Sequence, residues 1–468
     1  MAPHRVLALV LAFGWATWAL STPAAADEVW LVSGGTIVVM DKAETVIPGG
    51  AVAVRGSRFE AVGPAAELAA RFPEARRLDA SGRIVMPGLV DAHAHVPMTL
   101  FRGTADDLDL KGFLYGRIFP LEARFVDEEF VRWGTRLACL ELLRGGVTTF
   151  ADMYYYEDAV ADEAARCGMR AVAGETLVDF PAPDNKSWAD ALAYTEKFLT
   201  RWRGHRLITP AVAPHATYTV SPEDLKEAHD LAAKHDVPML MHLAEARSEV
   251  DLIREKYGKG PVEYAAGLGI LDGRVLAAHV IWPTPAEIAL LAERKVGAAH
   301  CPQSNMKGGS GVAPVPALLA AGVAVGLGTD GAASNNDLSM WEEMDTAAKL
   351  HKVMTGDPTV LDARTALAMA TRLGAEAMGL GRLTGSLEAG KRADLILVRT
   401  DGLHQIPHHD PYSLLVYSTK ASDVDTVIVD GQLVMAAGRV LTVDEAAVRE
   451  RAAAYGARID AAMREPRR

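Results

Sequence analysis

Hydrophobic and polar positions along this chain fall into two alternating rhythms. Short β-branched or apolar runs recur, and each is followed by a longer helical stretch rich in alanine and glutamate. The runs are Ile84–Ala92, Val147–Met153, Arg170–Thr176, Leu207–Ala213, Val237–Leu243, Val275–Val280, Val296–His300 and Val323–Thr329. Helical segments such as Asp127–Leu143, Trp188–Trp202, Pro222–Lys234 and Thr284–Arg294 lie between them. Ser221 before Pro222 and Thr284 before Pro285 place a capping side chain ahead of a proline suited to the first helical turn. Strands alternating with helices imply parallel pairing through crossovers. Eight such units over about 250 residues match a (β/α)8 barrel. An open doubly wound sheet is the competing arrangement, but no G-x-G-x-x-G follows the first strand and no Walker sequence occurs.

Two β-rich pieces flank this region. Trp30–Gly63 alternates in short runs broken by glycine turns, and Gly385–Val443 repeats the texture. Neither is long enough for its own core, so the two ends are expected to share one small β-sandwich. Asp444–Arg464 reads as a helix. At the other end, His4 and Arg5 precede an apolar run from Val6 to Leu20, and Ala24–Ala26 supplies a small-residue cleavage site. The run falls short of the ~20 residues that a spanning helix needs. A cleaved signal peptide and an exported chain with no membrane span are the expectation. The organisation is thus 1–26 signal peptide, 27–84 first part of the sandwich, 85–384 barrel, 385–443 second part of the sandwich, and 444–468 terminal helix.

Charge and cysteine content narrow the partners. The net charge of −12 comes without any basic stripe, which argues against nucleic acid. Cys139, Cys167 and Cys301 form no C-x-x-C pair, so a cysteine-built zinc site is excluded. Export permits disulfides, but an odd count leaves one thiol over and the spacing sets no pairing.

The histidines carry the chemistry. Of 14, His4 lies in the leader, and His205, His229, His235, His351, His404, His408 and His409 read as surface residues. The other six fall at strand ends: His93 and His95 past the first strand, His215 past the fourth, and His242, His279 and His300 ending the fifth, sixth and seventh. Asp330 closes the eighth. In a barrel those ends meet on one face, where active sites are built. In His93-Ala94-His95 the period of two aims both imidazoles to one side. With His242 and Asp330 they make a nitrogen-rich site that suits Zn²⁺, and whose donors also accept Fe²⁺. His300 fits a site wall and a core hydrogen bond equally well. Cys301 has no base or helix N-terminus to activate it, and Gly308–Gly311 reads as a flexible loop rather than a phosphate cradle.

Met86–His95 resembles the first-strand signature of the amidohydrolase superfamily. Pro97–Gly103, Pro214–Ser221, His242–Glu245 and Gly328–Asn336 resemble its S-adenosylhomocysteine/5′-methylthioadenosine deaminase and chlorohydrolase branch. The resemblance implies one metal ion per chain held by His93, His95, His242 and Asp330. It implies that His279 polarises the new oxygen, that Glu245 shuttles a proton to the ring nitrogen, and that His215 and Glu122 contact substrate. Phe113 stands where relatives often place tryptophan. As the motifs align, Glu175 and Lys186 replace two arginines that hold an amino-acid tail, so weak activity on S-adenosylhomocysteine is expected. The branch also implies a homo-oligomer.

The chemistry stands without the family. A metal ion lowers the pKa of water, Asp330 takes up its proton, and hydroxide adds beside a ring nitrogen that must itself be protonated. Glu245, three residues beyond a ligand, is placed to deliver that proton. The leading reading is a hydrolytic deaminase of an amino-substituted N-heterocycle. The competing readings are a chlorohydrolase or amidase using the same site, and a scaffold without catalysis, which the full ligand set disfavours.

Overall fold

The computed structural model describes residues 28–465, so the signal peptide read into 1–26 lies outside the described residues. Eight parallel strands form the central sheet: β1 (Leu89–Ala94), β2 (Val147–Tyr154), β3 (Arg170–Leu177), β4 (Ile208–Pro214), β5 (Met239–Leu243), β6 (Val275–His279), β7 (Gly297–His300) and β8 (Val325–Leu327). They pair in chain order. A bridge between Ala94 and Asp330 brings the two edges together. Asp91 reinforces that seam, accepting the Thr329 amide at 3.0 Å and the Thr329 hydroxyl at 2.6 Å. The result is a (β/α)8 barrel.

Small residues let the barrel close. Its interior holds Ala92, Ala151, Ala211, Ala213 and Ala299 between Val90, Val172, Leu240 and Leu276. The helices form where the caps and apolar spacing place them. Asp127, Ser187 and Ser221 each accept the amide three residues on, and Thr284 with Glu287 makes a reciprocal capping box. A larger apolar layer packs these helices against the outer face of the strands.

Both ends of the chain build the sandwich. One sheet is N-terminal throughout, with Arg58–Pro64, Gly50–Arg55, Val29–Ser33 and Arg76–Asp79 in that order. In the second sheet, Arg83–Pro87 pairs antiparallel with Leu395–Arg399, more than three hundred residues away. Val32, Val52 and Val54 of the first sheet pack against Ile37, Val85, Leu395 and Leu397 of the second. The helix Glu445–Met463 closes the chain.

One element departs from the sequence reading. Ile84–Ala92 is two strands, not one: Arg83–Pro87 belongs to the sandwich and Leu89–Ala94 to the barrel. The break falls at Gly88, where an added Cβ would stand 2.1 Å from the Thr148 side chain. Only a residue without a side chain lets the chain pass β2 this closely.

A buried arginine ties the two bodies together at the end of the barrel opposite the site. Arg170, the first residue of β3, donates to both oxygens of Asp394 at 2.8 and 3.1 Å, and lies 3.3 Å from Asp430. Arg206 and Arg392 also reach Asp430, so the charge that depends on Arg170 is that of Asp394. Arg170→Ala is expected to cost about 3–5 kcal/mol, because it leaves a buried carboxylate without its cation. Denaturant unfolding measures this, and a loss under about 1 kcal/mol would show that the pair adds little beyond packing.

Candidate metal centre and substrate cleft

The C-terminal ends of the strands deliver the histidines and Asp330 to one point. His93 on β1 and His95 just past its end have ring centroids 4.8 Å apart. His242 on β5 is level with Ala278 of β6, and Leu243 with His279, so those two rings stack at 5.4 Å. Asp330 Oδ1 lies 3.6 Å from His93 Nε2 and 3.3 Å from His95 Nε2. The Nε2 atoms of His95 and His242 stand 3.3 Å apart. Gly328 makes the approach feasible, because a Cβ there would meet the His93 Cβ at 2.9 Å.

The donor chemistry fits a cation. His95 Nδ1 donates to the Met153 carbonyl at 2.6 Å and His242 Nδ1 to the His215 carbonyl at 2.8 Å, which leaves each Nε2 with a lone pair. His93 Nε2 is buried without a hydrogen-bond partner. Converging lone pairs repel one another unless a positive charge sits between them. Burial pushes His93 and His242 well below the usual imidazole range, keeping both neutral. Burial works against the Asp330 charge, yet the adjacent histidines, His95 foremost, hold that carboxyl well below its usual range. His95, against its own burial, is raised by Asp330 to about 9, and an ion in the site would displace the proton it holds. Ser304 and Ser334 donate to Asp330 Oδ2 at 2.5 and 2.9 Å, which turns Oδ1 toward the histidines. Among the described residues, His93, His95 and Asp330, and His93, His242 and His279, form the two donor triplets close enough to share an ion.

The backbone is strained where the site is built. Ala244, His279, Val280 and Asp330 all have positive φ, at 53°, 72°, 46° and 60°. Such conformations cost about 1–3 kcal/mol each in residues with a side chain and persist where surrounding structure imposes them. His279 is fixed further by its Nδ1, which donates to Asn305 Oδ1 at 2.9 Å, so its Nε2 faces the cleft 3.8 Å from Glu245 Oε1. Burial raises the Glu245 carboxyl above the usual range.

The cleft beside these groups spans about 550 Å³, counting the space that opens to solvent. Phe113, Glu122 and His215 all line it, together with His279 and Glu245. Burial pushes Glu122 up to about 7, against the pull of the Tyr154 hydroxyl. A second arm of about 420 Å³ opens between Leu110 and Ser310 and shares Glu245 and Asp330 with the first.

Three sequence readings are corrected. Glu175 does not face substrate: it is fully buried, accepts the Glu157 amide at 2.9 Å and is absent from the cleft wall, where its neighbour Thr176 stands instead. Alternation along β3 sends adjacent residues to opposite faces. Lys186 is committed to the Ala182 carbonyl at 2.7 Å. His351 is not a surface residue but is 2% exposed, and its Nε2 lies 3.2 Å from that of His300. The pair is a core contact, which also settles His300. Residues the sequence reading passed over include Tyr154, Tyr218, Ser304, Ser334 and Asn305. Tyr218 and Ser334 stood inside motifs already singled out, and Asn305 follows the seventh strand, so strand-end position was the available signal.

The fold and the His–Asp constellation define a metal-dependent hydrolase. The sequence profile of the amidohydrolase family matches residues 84–434, and the chain belongs to that family. It is 47% identical over 421 residues to a 5-methylthioadenosine/S-adenosylhomocysteine deaminase of Syntrophobacter fumaroxidans, covering 90% of this chain and 96% of the relative. An adenosine deaminase from Xanthomonas campestris, solved with bound zinc, superposes with a TM-score of 0.91 at 39% identity, covering 93% of this chain and 99% of that one. A zinc-complexed atrazine chlorohydrolase from Arthrobacter aurescens TC1 gives 0.85 at 25% identity, covering 91% and 99%. The protein is a hydrolytic deaminase of amino-substituted N-heterocycles, with a divalent metal site built from histidines. Among the described residues, no helix is long and apolar enough to cross a membrane.

Proposed function

We propose that the enzyme removes ammonia from the aminopurine ring of a nucleoside-like substrate with an uncharged tail, 5′-methylthioadenosine being the model case. His93, His95, His242 and Asp330 hold one zinc ion per chain. The observation that carries the reading is the shared cleft: a buried acid, Glu245, and the Asp330 carboxylate face one pocket beside the imidazoles.

A divalent ion in this site supplies the electrophilic assistance that makes water nucleophilic at neutral pH. Asp330 Oδ1 accepts the proton of the attacking water. Glu245 places a proton on the ring nitrogen next to the attacked carbon, and His279 Nε2 faces the new oxygen on that carbon. The C–N bond then breaks: the amine takes the proton held by Asp330 and leaves as ammonia, while the new hydroxyl gives up its proton on becoming the carbonyl and so restores Glu245. Phe113 covers the ring, while Glu122 and His215 hold the sugar hydroxyls. The proton that Asp330 holds favours an amine leaving group over chloride, because chloride needs no proton to depart. Ammonia release across aminopurines, pterins and triazines, set against chloride release from matched chlorotriazines, tests this. Chloride release outrunning ammonia release would reverse it.

Tail selectivity follows from the lining. Among the described residues of this cleft there is no arginine or lysine, and Glu122 is acidic. The second arm holds Lys307, but its ammonium is already paired with Asp106 at 2.5 Å, so a charged amino-acid tail finds no uncommitted cation to offset its desolvation. One missing charge-assisted contact costs about 1.5–3 kcal/mol, so kcat/KM for 5′-methylthioadenosine is expected to exceed that for S-adenosylhomocysteine by roughly 10- to 100-fold. Equal values would place a cation in the cleft after all.

We also propose that the mature enzyme acts outside the cytoplasm, on the strength of the apolar run and the small-residue site at Ala24–Ala26. Mass measurement of protein recovered from the exported fraction should give a chain beginning at Asp27. Intact chain held in the cytoplasm would overturn it.

A further inference from the structure

We infer that Glu249 is a positioning residue that sets Glu245 for proton delivery by tying together two loops of the cleft. This rests on the reading of Glu245 as the proton donor. Glu249 lies in the first turn of the helix Arg247–Tyr257 and is 2% exposed. An acidic residue in a first turn commonly serves only its own helix, by accepting a free amide or facing the helix dipole. Here each oxygen has a different destination. Oε2 accepts the backbone amide of Glu245 at 2.8 Å. Oε1 accepts the Thr217 hydroxyl at 2.7 Å, across on the loop that follows β4.

The next residue on that loop is Tyr218, whose hydroxyl lies 3.4 Å from Glu245 Oε2 and which lines the cleft. One buried carboxylate thus holds the main chain of Glu245 from behind and the residue beside its side-chain partner. The restraint is needed because Ala244, immediately before Glu245, has a φ of 53°, a conformation with no preference of its own for an alanine. Without Glu249, that turn can relax and swing the Glu245 carboxyl away from both Tyr218 and His279. Neither Glu249 nor Thr217 lines the cleft, so both act on the reaction through Glu245 rather than through substrate.

The test is a double-mutant cycle in the metal-loaded full chain, with ammonia release as the readout. Glu249→Ala is expected to lower kcat by roughly 10- to 100-fold, the usual reach of a residue supporting a site group, with KM and metal content little changed. Glu249→Gln should recover most of the loss, because its amide oxygen can take the Glu245 amide while its NH2 turns to the Thr217 hydroxyl. In a Glu245→Gln background, where the proton is already missing, Glu249→Ala should cost less than about twofold more. Thr217→Val removes one tether alone and supplies the same comparison if Glu249→Ala fails to fold. Equal losses in both backgrounds would reduce Glu249 to a helix cap and overturn the inference while leaving the proton-donor reading intact. Wild-type turnover in Glu245→Gln alone would overturn both.

Discussion

Turnover is expected to fall to background when the divalent ion is stripped by a chelator, and to return when the ion is restored. On the proposed reading, His93, His95, His242 and Asp330 supply the donors for a single ion. His215 and His279 are tied only through Nδ1, to Thr219 and Asn305 at 2.9 Å each, and on the proposed reading their free Nε2 atoms serve substrate rather than a second ion. No lysine ends β4 to bridge two ions, since Ala213, Pro214 and His215 occupy that stretch. Elemental analysis should therefore find one ion per active chain, and two would overturn the assignment. Removal should also register in unfolding. An ion present at a thousand times its Kd adds about 4 kcal/mol to the folded state, so the stripped protein should melt earlier by that equivalent. The four proposed donors come from the ends of β1, β5 and β8, so an ion held by them would clamp the seam that the Ala94–Asp330 bridge and Asp91 close. A chain whose melting point ignores the chelator would show that the barrel closes without it.

Glu245→Gln is expected to lower kcat by roughly 10²–10⁴ with metal content unchanged, the usual worth of a positioned acid–base group. The glutamine keeps the shape and can still accept from Tyr218, but carries no transferable proton. Two features make the carboxyl suited to the step. Burial raises it, so that it holds its proton closer to neutrality, and it sits 3.8 Å from His279 Nε2, on the same side of the cleft as the attacked carbon would lie. The loss should fall on amine- and chloro-substituted rings alike, since Glu245 serves the ring nitrogen in both and the proton for the departing amine comes from Asp330. Near-wild-type turnover on aminopurines would mean that another group, with Tyr218 the nearest, delivers the proton.

Much of this was legible in one dimension. The alternation of short apolar runs with capped, alanine-rich helices determines a parallel barrel, because only crossovers through helices can join parallel neighbours. Once a barrel is granted, histidines at strand ends must converge, and His93-Ala94-His95 with period two must present two rings together. Hence the convergence of His93, His95, His242 and Asp330 was legible from the sequence, because it needs only strand position, which hydrophobic periodicity reports.

Which face of a strand looks into the cleft is another matter. Glu175 and Thr176 alternate, and the sequence gives no sign of which one faces inward until register and curvature are set; tertiary structure turned Thr176 to substrate and buried Glu175 behind it. Ile84–Ala92 is a continuous apolar run, yet its two halves pair with Leu395–Arg399 and with β2, and only those distant partners decide where one sheet ends. His351 sits on a helix that reads as amphipathic, and its burial depends on His300 standing opposite. The two tethers of Glu249 reach Thr217, 32 residues away, and the Glu245 amide. Local sequence sets periodicity, caps and the spacing of donors because those are short-range properties of the backbone. Facing, pairing and second partners were decided by the fold, because each depends on a contact whose other half lies elsewhere in the chain.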